Sequence, residues 1–350
     1  GIRLMAYSTI PKGSLYMNTI LYSGTGGTQV LTGVGFESTF NWIKRRDNAA
    51  EFRMIDQVRG GNYSIGSGTN DPQLTQTNAI SAWSSDGFTV GATSTNPSGS
   101  TFVAWNWKGN GQGSSNTSGT INTTYTSANT TSGFSVSSYT GTGANATIGH
   151  GLGVTPKMII IKNLSSYTNW MVYHQNLGNT KYLSLDTTAA EDTLAVWNNT
   201  TPTSSVFSVG TDQRVNANGA SYIAYIFAEK QGYSKFGSYT GNNNADGTFV
   251  YTGFKPAFLM VKVTNTTGNW VIFDNRRAGY NDKAGFFNAN VAAAEVENNA
   301  DYKLDLLSNG FKFRGNSGDI NGADSYLYMC FAENPFVATS GTSAIPVTAR

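Results

Sequence analysis

The chain has 350 residues and a formal net charge of +2, from 23 basic and 21 acidic side chains, with only 13% of positions charged. Aromatics also reach 13%, which excludes a disordered composition, and no Lys/Arg cluster is dense enough for a nucleic-acid footprint. Forty glycines among abundant Thr, Ser and Asn predict an all-β protein of short strands and tight turns, and the lone Cys330 excludes an intrachain disulfide framework.

In chain order, GIRLMAYS at the N-terminus is too short and too polar for a signal peptide; Met5 reads as a natural start, with Gly1 to Leu4 preceding it. No apolar run approaches the ~18–20 residues of a membrane span. The densest basic group, Lys44-Arg45-Arg46, is followed at once by Asp47 and reads as a solvated turn. Residues 109–133, GNGQGSSNTSGTINTTYTSANTTSG, hold almost no apolar side chains and read as an extended linker.

Beyond the linker a long internal repeat becomes visible. At an offset of 100, Tyr139-Thr140-Gly141 meets Tyr239-Thr240-Gly241, Pro156 meets Pro256, Lys162 meets Lys262 and Asn169-Trp170 meets Asn269-Trp270. After a four-residue insertion the offset is 104, and Phe227-Ala228-Glu229 meets Phe331-Ala332-Glu333. A fainter copy precedes both at offsets of 118–120: Lys44 falls on Lys162, Asp56 on His174 and Phe102 on Tyr222. The predicted units are a divergent repeat at 14–108, the linker at 109–132, repeats at 133–233 and 234–338, and a tail at 339–350. Repeats of this size are domain-sized, each able to enclose its own core.

Within the second repeat, SVSSYTG, KMIIIK, NWMVYH, KYLSLD, SVFSVG and SYIAYIFAE predict strands separated by Asn/Gly/Ser/Thr turns. Alternation in the last puts Tyr222, Ala224 and Ile226 on one face and Ile223, Tyr225 and Phe227 on the other. Only TTAAED and NVAAAEVENNA suggest helix, for one or two turns. The fold class expected is three tandem pseudo-repeated β-sandwich domains, jelly-roll or concanavalin-like.

The chemical inventory is thin. GxSxG, HExxH and CxxC are absent, and the two histidines are His150 and His174. His174 shares a repeat position with Asp56 and Asp274 and is expected to close a turn or cap a strand; His150, in IGHGLG, reads as an exposed loop histidine. GTGG at 24–27 and GTGANATIG at 141–149 precede strands rather than a helix N-terminus, so hairpin turns are expected instead of phosphate loops. Asp186 with Glu191-Asp192, and Asp301 with Asp305, read as solvated carboxylates rather than a glycosidase pair or a calcium site. No catalytic, cofactor-binding or metal residue is assigned. For a receptor or glycan the candidate contacts are the loop aromatics Tyr167 and Trp197. Trp170 and Trp270 are expected in the core, and Trp105 and Trp107 in core or interface. The nine N-x-S/T sequons, Asn116, Asn122, Asn129, Asn199 and Asn265 among them, are ascribed to composition.

Three phrases carry a family resemblance: HGLGVTPKMIIIKN…NWMVYHQNLGNTKYLSL, GYSKFGSYTGNNNADGTFVYTGFKPAFLMVK, and DLLSNGFKFR…YLYMCFAENPF with a terminal AR. They resemble the repeated β-domain of bacteriophage virion structural proteins, especially phages of marine bacteria, strongly over about 133–350 and loosely over 20–108. The first repeat departs from the pattern: Phe52 stands in place of the Trp, no proline matches Pro156, and the FAE ending is missing. The resemblance implies a non-enzymatic virion protein on the particle exterior, a tail fibre or other adsorption appendage or a capsid decoration, with no catalytic residues to carry over. The partners expected are other virion proteins, a host-surface glycan or protein receptor, and further copies of the chain, with a trimer suggested by analogy. No cofactor, nucleic acid or membrane insertion is expected. The alternative is a secreted carbohydrate-binding protein of tandem lectin-like sandwiches.

Overall fold

A computed structural model describes residues 8–277, 281 and 284–335. Gly1–Leu4, Met5 and the tail at 339–350 lie outside the described residues. The chain is all-β, folded into several antiparallel sheets.

Each repeat supplies one larger sheet and one smaller sheet, and the first adds a two-stranded pair of Tyr63–Ser64 and Leu74–Thr75. In the first, Met17–Ser23, Thr101–Trp107, Phe40–Arg45 and Arg53–Asp56 lie side by side, and Gln29–Leu31, Gly87–Val90 and Ala82–Ser84 form the small sheet. In the second, Tyr125–Asn129, Phe134–Thr140, Ser221–Phe227, Met158–Asn163, Met171–His174, Lys181–Ser184 and Asp192–Thr193 are joined in that order, with Ala146–Gly149 paired to Val206–Val209. In the third, Ser234–Thr240, Ser325–Pro335, Phe254–Val263, Trp270–Asp274 and Phe287–Asn288 accompany a small sheet of Phe249–Tyr251, Gly310–Phe313 and Leu304–Leu307. Register repeats with the sequence: Phe40 faces Trp107, Met158 faces Phe227 and Phe258 faces Phe331.

The alternation read in SYIAYIFAE separates two cores. Tyr222, Ala224 and Ile226 pack with Ile148 and Phe207 of the small sheet, inside the second repeat. Ile223, Tyr225 and Phe227 enter a core that also holds Phe40, Trp42, Trp105 and Trp107 of the first repeat and Phe258, Met260 and Phe331 of the third. The second repeat thus encloses a core of its own, as the first does around Leu31, Phe36 and Phe88, but a further core is shared by all three repeats. The larger sheets are apolar on both faces, as continuous runs such as MIIIKN require, and the second face is buried against the other repeats. At the centre, the equivalent residues Trp107, Phe227 and Phe331 form a triangle with ring centroids 6.4, 5.7 and 6.0 Å apart. Towards the outside a stacked aromatic pair recurs at equivalent positions of the three repeats: Tyr22 on Phe102, Tyr139 on Tyr222 and Tyr239 on Tyr326, at 4.9–5.1 Å.

Several local expectations change. Residues 109–132 are not wholly extended linker: Tyr125–Asn129 pairs with Phe134–Thr140, and Ile121 bridges to Ile148. GTGG at 24–27 and the loop opening at Gly141 are not hairpin turns, because the strands flanking each belong to different sheets. Lys44 does not sit in a solvated turn; it is fully buried at the end of Phe40–Arg45. The alanine-rich segments form no helix, since their backbone groups are engaged by neighbouring repeats: Glu191 N–H donates to Thr264 O, Gly268 N–H to Thr188 O, Glu295 N–H to Arg46 O and Ala50 N–H to Ala292 O. Among the described residues the one α-turn, Gln213–Asn216, starts where the Asp212 side chain accepts from Arg214 N–H, an N-cap not evident in the strand pattern.

Candidate functional site

Three lysines, Lys44, Lys162 and Lys262, hold one position in the repeats and are fully buried. Each ammonium donates to one carbonyl of its own repeat and one of the next. Lys44 reaches Ala50 O and, at 2.9 Å, Ala292 O of the third repeat. Lys162 reaches Thr168 O at 2.7 Å and Asn70 O of the first repeat at 3.0 Å. Lys262 reaches Gly268 O at 3.0 Å and Thr188 O of the second repeat at 3.3 Å. The ties run from first to third, third to second and second to first, closing a ring.

A second ring follows the same direction. Trp105 Nε1 donates to Asp274 of the third repeat at 3.0 Å, and Tyr225 Oη donates to Asp56 of the first at 2.8 Å. The third member pairs Met329, which has no donor, with His174, whose Nε2 lies 3.3 Å from Tyr328 O. Asp56 and Asp274 each hold a buried arginine three residues on, Arg59 and Arg277. The corresponding residue after His174 is Leu177. Burial pushes His174 down to about 4, so it is neutral at pH 7, and its Nδ1 accepts from Asn176 N–H and closes the turn. A neutral imidazole thus stands where the neighbouring repeat offers no side-chain donor and its own repeat has Leu177 in place of the arginine.

Trp170 and Trp270 are core residues that also tie repeats together: their Nε1 groups donate to Gly66 O at 3.0 Å and Ser184 O at 2.8 Å. Phe52, their counterpart, packs edge-on against Phe287 of the third repeat instead. Trp105 and Trp107 are fully buried in the shared core.

Burial pushes all three lysines down to about 8, against the pull of Glu51 on Lys44, Asp186 and Asp71 on Lys162, and Asp319 on Lys262. The unfolded lysines keep protons up to about pH 10.4. Between about pH 8 and 10 the unfolded chain therefore binds more protons, and stability should rise with pH. Above about 10 the trend reverses, because buried tyrosines such as Tyr225 and Tyr239 are raised well above their ordinary value while unfolded tyrosines ionise. Denaturant midpoints between pH 7.5 and 9.5 check this: a rise is expected, and a shallower one in Lys162→Met.

Of the two aromatics expected from sequence as contacts, Trp197 is buried and Tyr167 is exposed. Trp197 is withdrawn: it is 1% exposed, lies edge-on to Tyr173 and donates Nε1–H to Lys181 O at 3.0 Å. Tyr167 is 72% exposed. Its loop is pinned, because the Asn163 side chain accepts from Ser165 N–H and Ser166 N–H while Thr168 N–H donates to Asn70 O of the first repeat. His150 is not an exposed loop residue; it is fully buried, with Nε2 3.2 Å from Thr203 O and Nδ1 accepting from Leu152 N–H, and burial lowers its pKa. Asp186 is half-buried rather than solvated, accepts from Trp170 N–H and Asn169 Nδ2, and is pushed up to about 6 by burial.

The seams open outward as polar clefts at corresponding places. Between the second and third repeats a cleft of about 510 Å³ is lined by Lys181, Glu191, Thr264, Asn265 and Ser325, with Lys181 and Glu191 ion-paired. Between the third and first, one of about 440 Å³ is lined by Arg46, Asp47, Thr101 and Glu295, with Arg46 and Glu295 paired at 2.5 Å. Among the described residues no group of three or more His, Cys, Asp or Glu is placed to hold a metal ion. The site the geometry offers is a set of polar surface clefts, each holding an ion pair, with an exposed tyrosine on a hydrogen-bonded loop, suited to non-covalent contact.

Residues 12–335 match the family described as Domain of unknown function (DUF7483), and the chain belongs to that family. No curated protein and no solved structure matches the chain.

Proposed function

We propose that this chain is a non-enzymatic structural protein of a bacteriophage virion, exposed on the particle exterior as an adsorption appendage or a capsid decoration. In this reading it is three pseudo-repeated β-sandwiches assembled as a ring. The observation that supports the proposal, beside the resemblance of three sequence phrases to phage virion proteins, is the closed circuit of lysine ties. It commits a buried cation of every repeat to the next repeat and anchors loops such as 164–168, whose outward side chains can vary on a fixed frame. Association with further copies, trimeric by analogy, belongs to the same proposal and is read by sedimentation. Antibody–gold labelling of intact particles tests location: gold on tail or fibre supports adsorption, and gold over the head supports decoration. Absence from every particle, with free protein in the lysate, overturns the reading in favour of a secreted carbohydrate-binding protein.

Tyr167 is the proposed receptor contact. Tyr167→Ala should leave stability within about 0.5 kcal/mol, as for an exposed residue, while weakening binding to host cells or to a glycan array. Unchanged binding would remove Tyr167 from the contact surface.

A further inference from the structure

The small sheet of the third repeat turns two aromatic side chains outward. Val250 is buried and faces Phe311, so Phe249 and Tyr251, its neighbours on Phe249–Tyr251, share the opposite face, where they are 44% and 56% exposed. Two residues apart, they are spaced about 6.6–6.8 Å along the strand. Gly310 faces Tyr251 across the strands, and a Cβ there would lie 2.1 Å from Val250 O and 3.1 Å from Phe249 Cε2. Glycine at this position lets the Phe249 ring settle against the sheet.

The strand does not need either ring. Leu31, Ile148 and Val250 are equivalent, facing Phe88, Phe207 and Phe311. The flanking positions are Val30 and Thr32 in the first repeat and Thr147 and Gly149 in the second. In the second repeat the chain's own residues 116–121 pack there: Thr120 Oγ1 accepts from Thr147 N–H at 2.8 Å, and a Cβ on Gly149 would lie 2.0 Å from Asn116 Oδ1. The third repeat presents two large rings where smaller side chains build the same strand.

Polar groups beside the rings are held in place by one another. Lys312 faces Phe249 across the strands, and Asp305 faces Lys312. Asp246 accepts from Lys312 Nζ at 2.7 Å and from Arg314 Nη1 at 3.3 Å, and Arg314 Nε donates to Asp305 at 2.6 Å. Two cations and two carboxylates therefore balance, and this rim offers hydrogen bonds without a net charge that would select an ionic ligand. At about 150–250 Å² per aromatic side chain, the half-exposed pair presents roughly 200 Å², against about 800 Å² from each partner in a stable protein complex. A saccharide fits both the charge and the area. Its pyranose rings carry a C–H face that packs on an aromatic ring, and hydroxyls at the rim that both donate and accept.

We propose that Phe249 and Tyr251 form a binding platform for a neutral oligosaccharide, whose sugar rings stack on the two side chains and whose hydroxyls bond to Lys312, Asp246 and Arg314. The inference deepens the adsorption reading by naming a second site and its ligand class, and it rests on that reading.

The test is binding of the purified full chain to an array of neutral and acidic oligosaccharides, with Phe249→Ala and Tyr251→Ala alongside. The unmodified chain should bind a neutral glycan, and each variant should bind it at least about tenfold more weakly at an unchanged urea midpoint, as for exposed positions. No glycan bound, a preference for acidic glycans, or equal binding by the chain and its variants each overturns the proposal. So does a loss of self-association in sedimentation by the variants with glycan binding intact, which would assign the rings to contact with a second copy. The virion reading fails by a different observation, since absence of the protein from particles leaves the array result unchanged.

Discussion

Trp107→Ala is expected to cost about 3–5 kcal/mol, the range for truncating a buried tryptophan where the cavity cannot collapse. Trp107 is fully buried and touches rings from every repeat: Phe40 of its own, Phe134 and Phe227 of the second, and Phe258 and Phe331 of the third. Three sheets converge on the void it would leave, and none can close it without moving the other two. Trp107→Phe supplies the control. Among the described residues the indole Nε1 has no hydrogen-bond partner, so phenylalanine forfeits volume but no hydrogen bond and should cost less than half as much. Urea denaturation of the two variants reads the difference. Equal, small losses would mean that the centre of the ring is not tightly packed.

The second large effect is expected at Asp56. Its carboxylate accepts from Arg59 Nε at 2.7 Å, from Arg59 N–H at 2.8 Å and from Tyr225 Oη of the second repeat at 2.8 Å, and the two charged side chains are 0% and 4% exposed. Asp56→Asn keeps the shape but leaves the guanidinium buried without its counter-charge. Breaking a buried pair on one side costs about 3–5 kcal/mol. Replacing Asp56 and Arg59 together by apolar residues of similar volume should cost less than the single change, because neither buried charge remains. A double-mutant cycle with Tyr225→Phe then measures how much of the pair's worth passes between repeats. Strict additivity would mean that the tyrosine hydroxyl carries no coupling.

The parts of this architecture legible in sequence are those governed by local periodicity. Alternation in SYIAYIFAE assigned alternate side chains to opposite faces, and matched phrases at fixed offsets located equivalent strands. What stayed hidden was the destination of the second apolar face. A strand buried between its own two sheets and one buried between neighbouring repeats both read as continuous apolar runs. The clue was available in Lys44, Lys162 and Lys262: one matched lysine at the end of each apolar run signals a buried cation with a fixed set of acceptors. Trp197 and His150 were misplaced because Asn-, Gly- and Thr-rich surroundings report turns, and a turn folded against a sheet can bury its aromatic or imidazole. The alanine-rich segments illustrate the limit of propensity, since carbonyls and N–H groups engaged by another repeat are no longer available to a helix. Tyr167 was correctly read as a loop residue, but its anchoring through Asn70 of the first repeat depends on a contact between repeats that no local pattern contains.

The central claim is that the three repeats form one cooperative ring around a shared core, not a string of independent domains. Differential scanning calorimetry tests it most directly. A single transition with a calorimetric-to-van't Hoff enthalpy ratio of about one is predicted, lowered as a whole by Trp107→Ala. Three separable transitions, or a ratio of about three with only one component moved by that substitution, would contradict it.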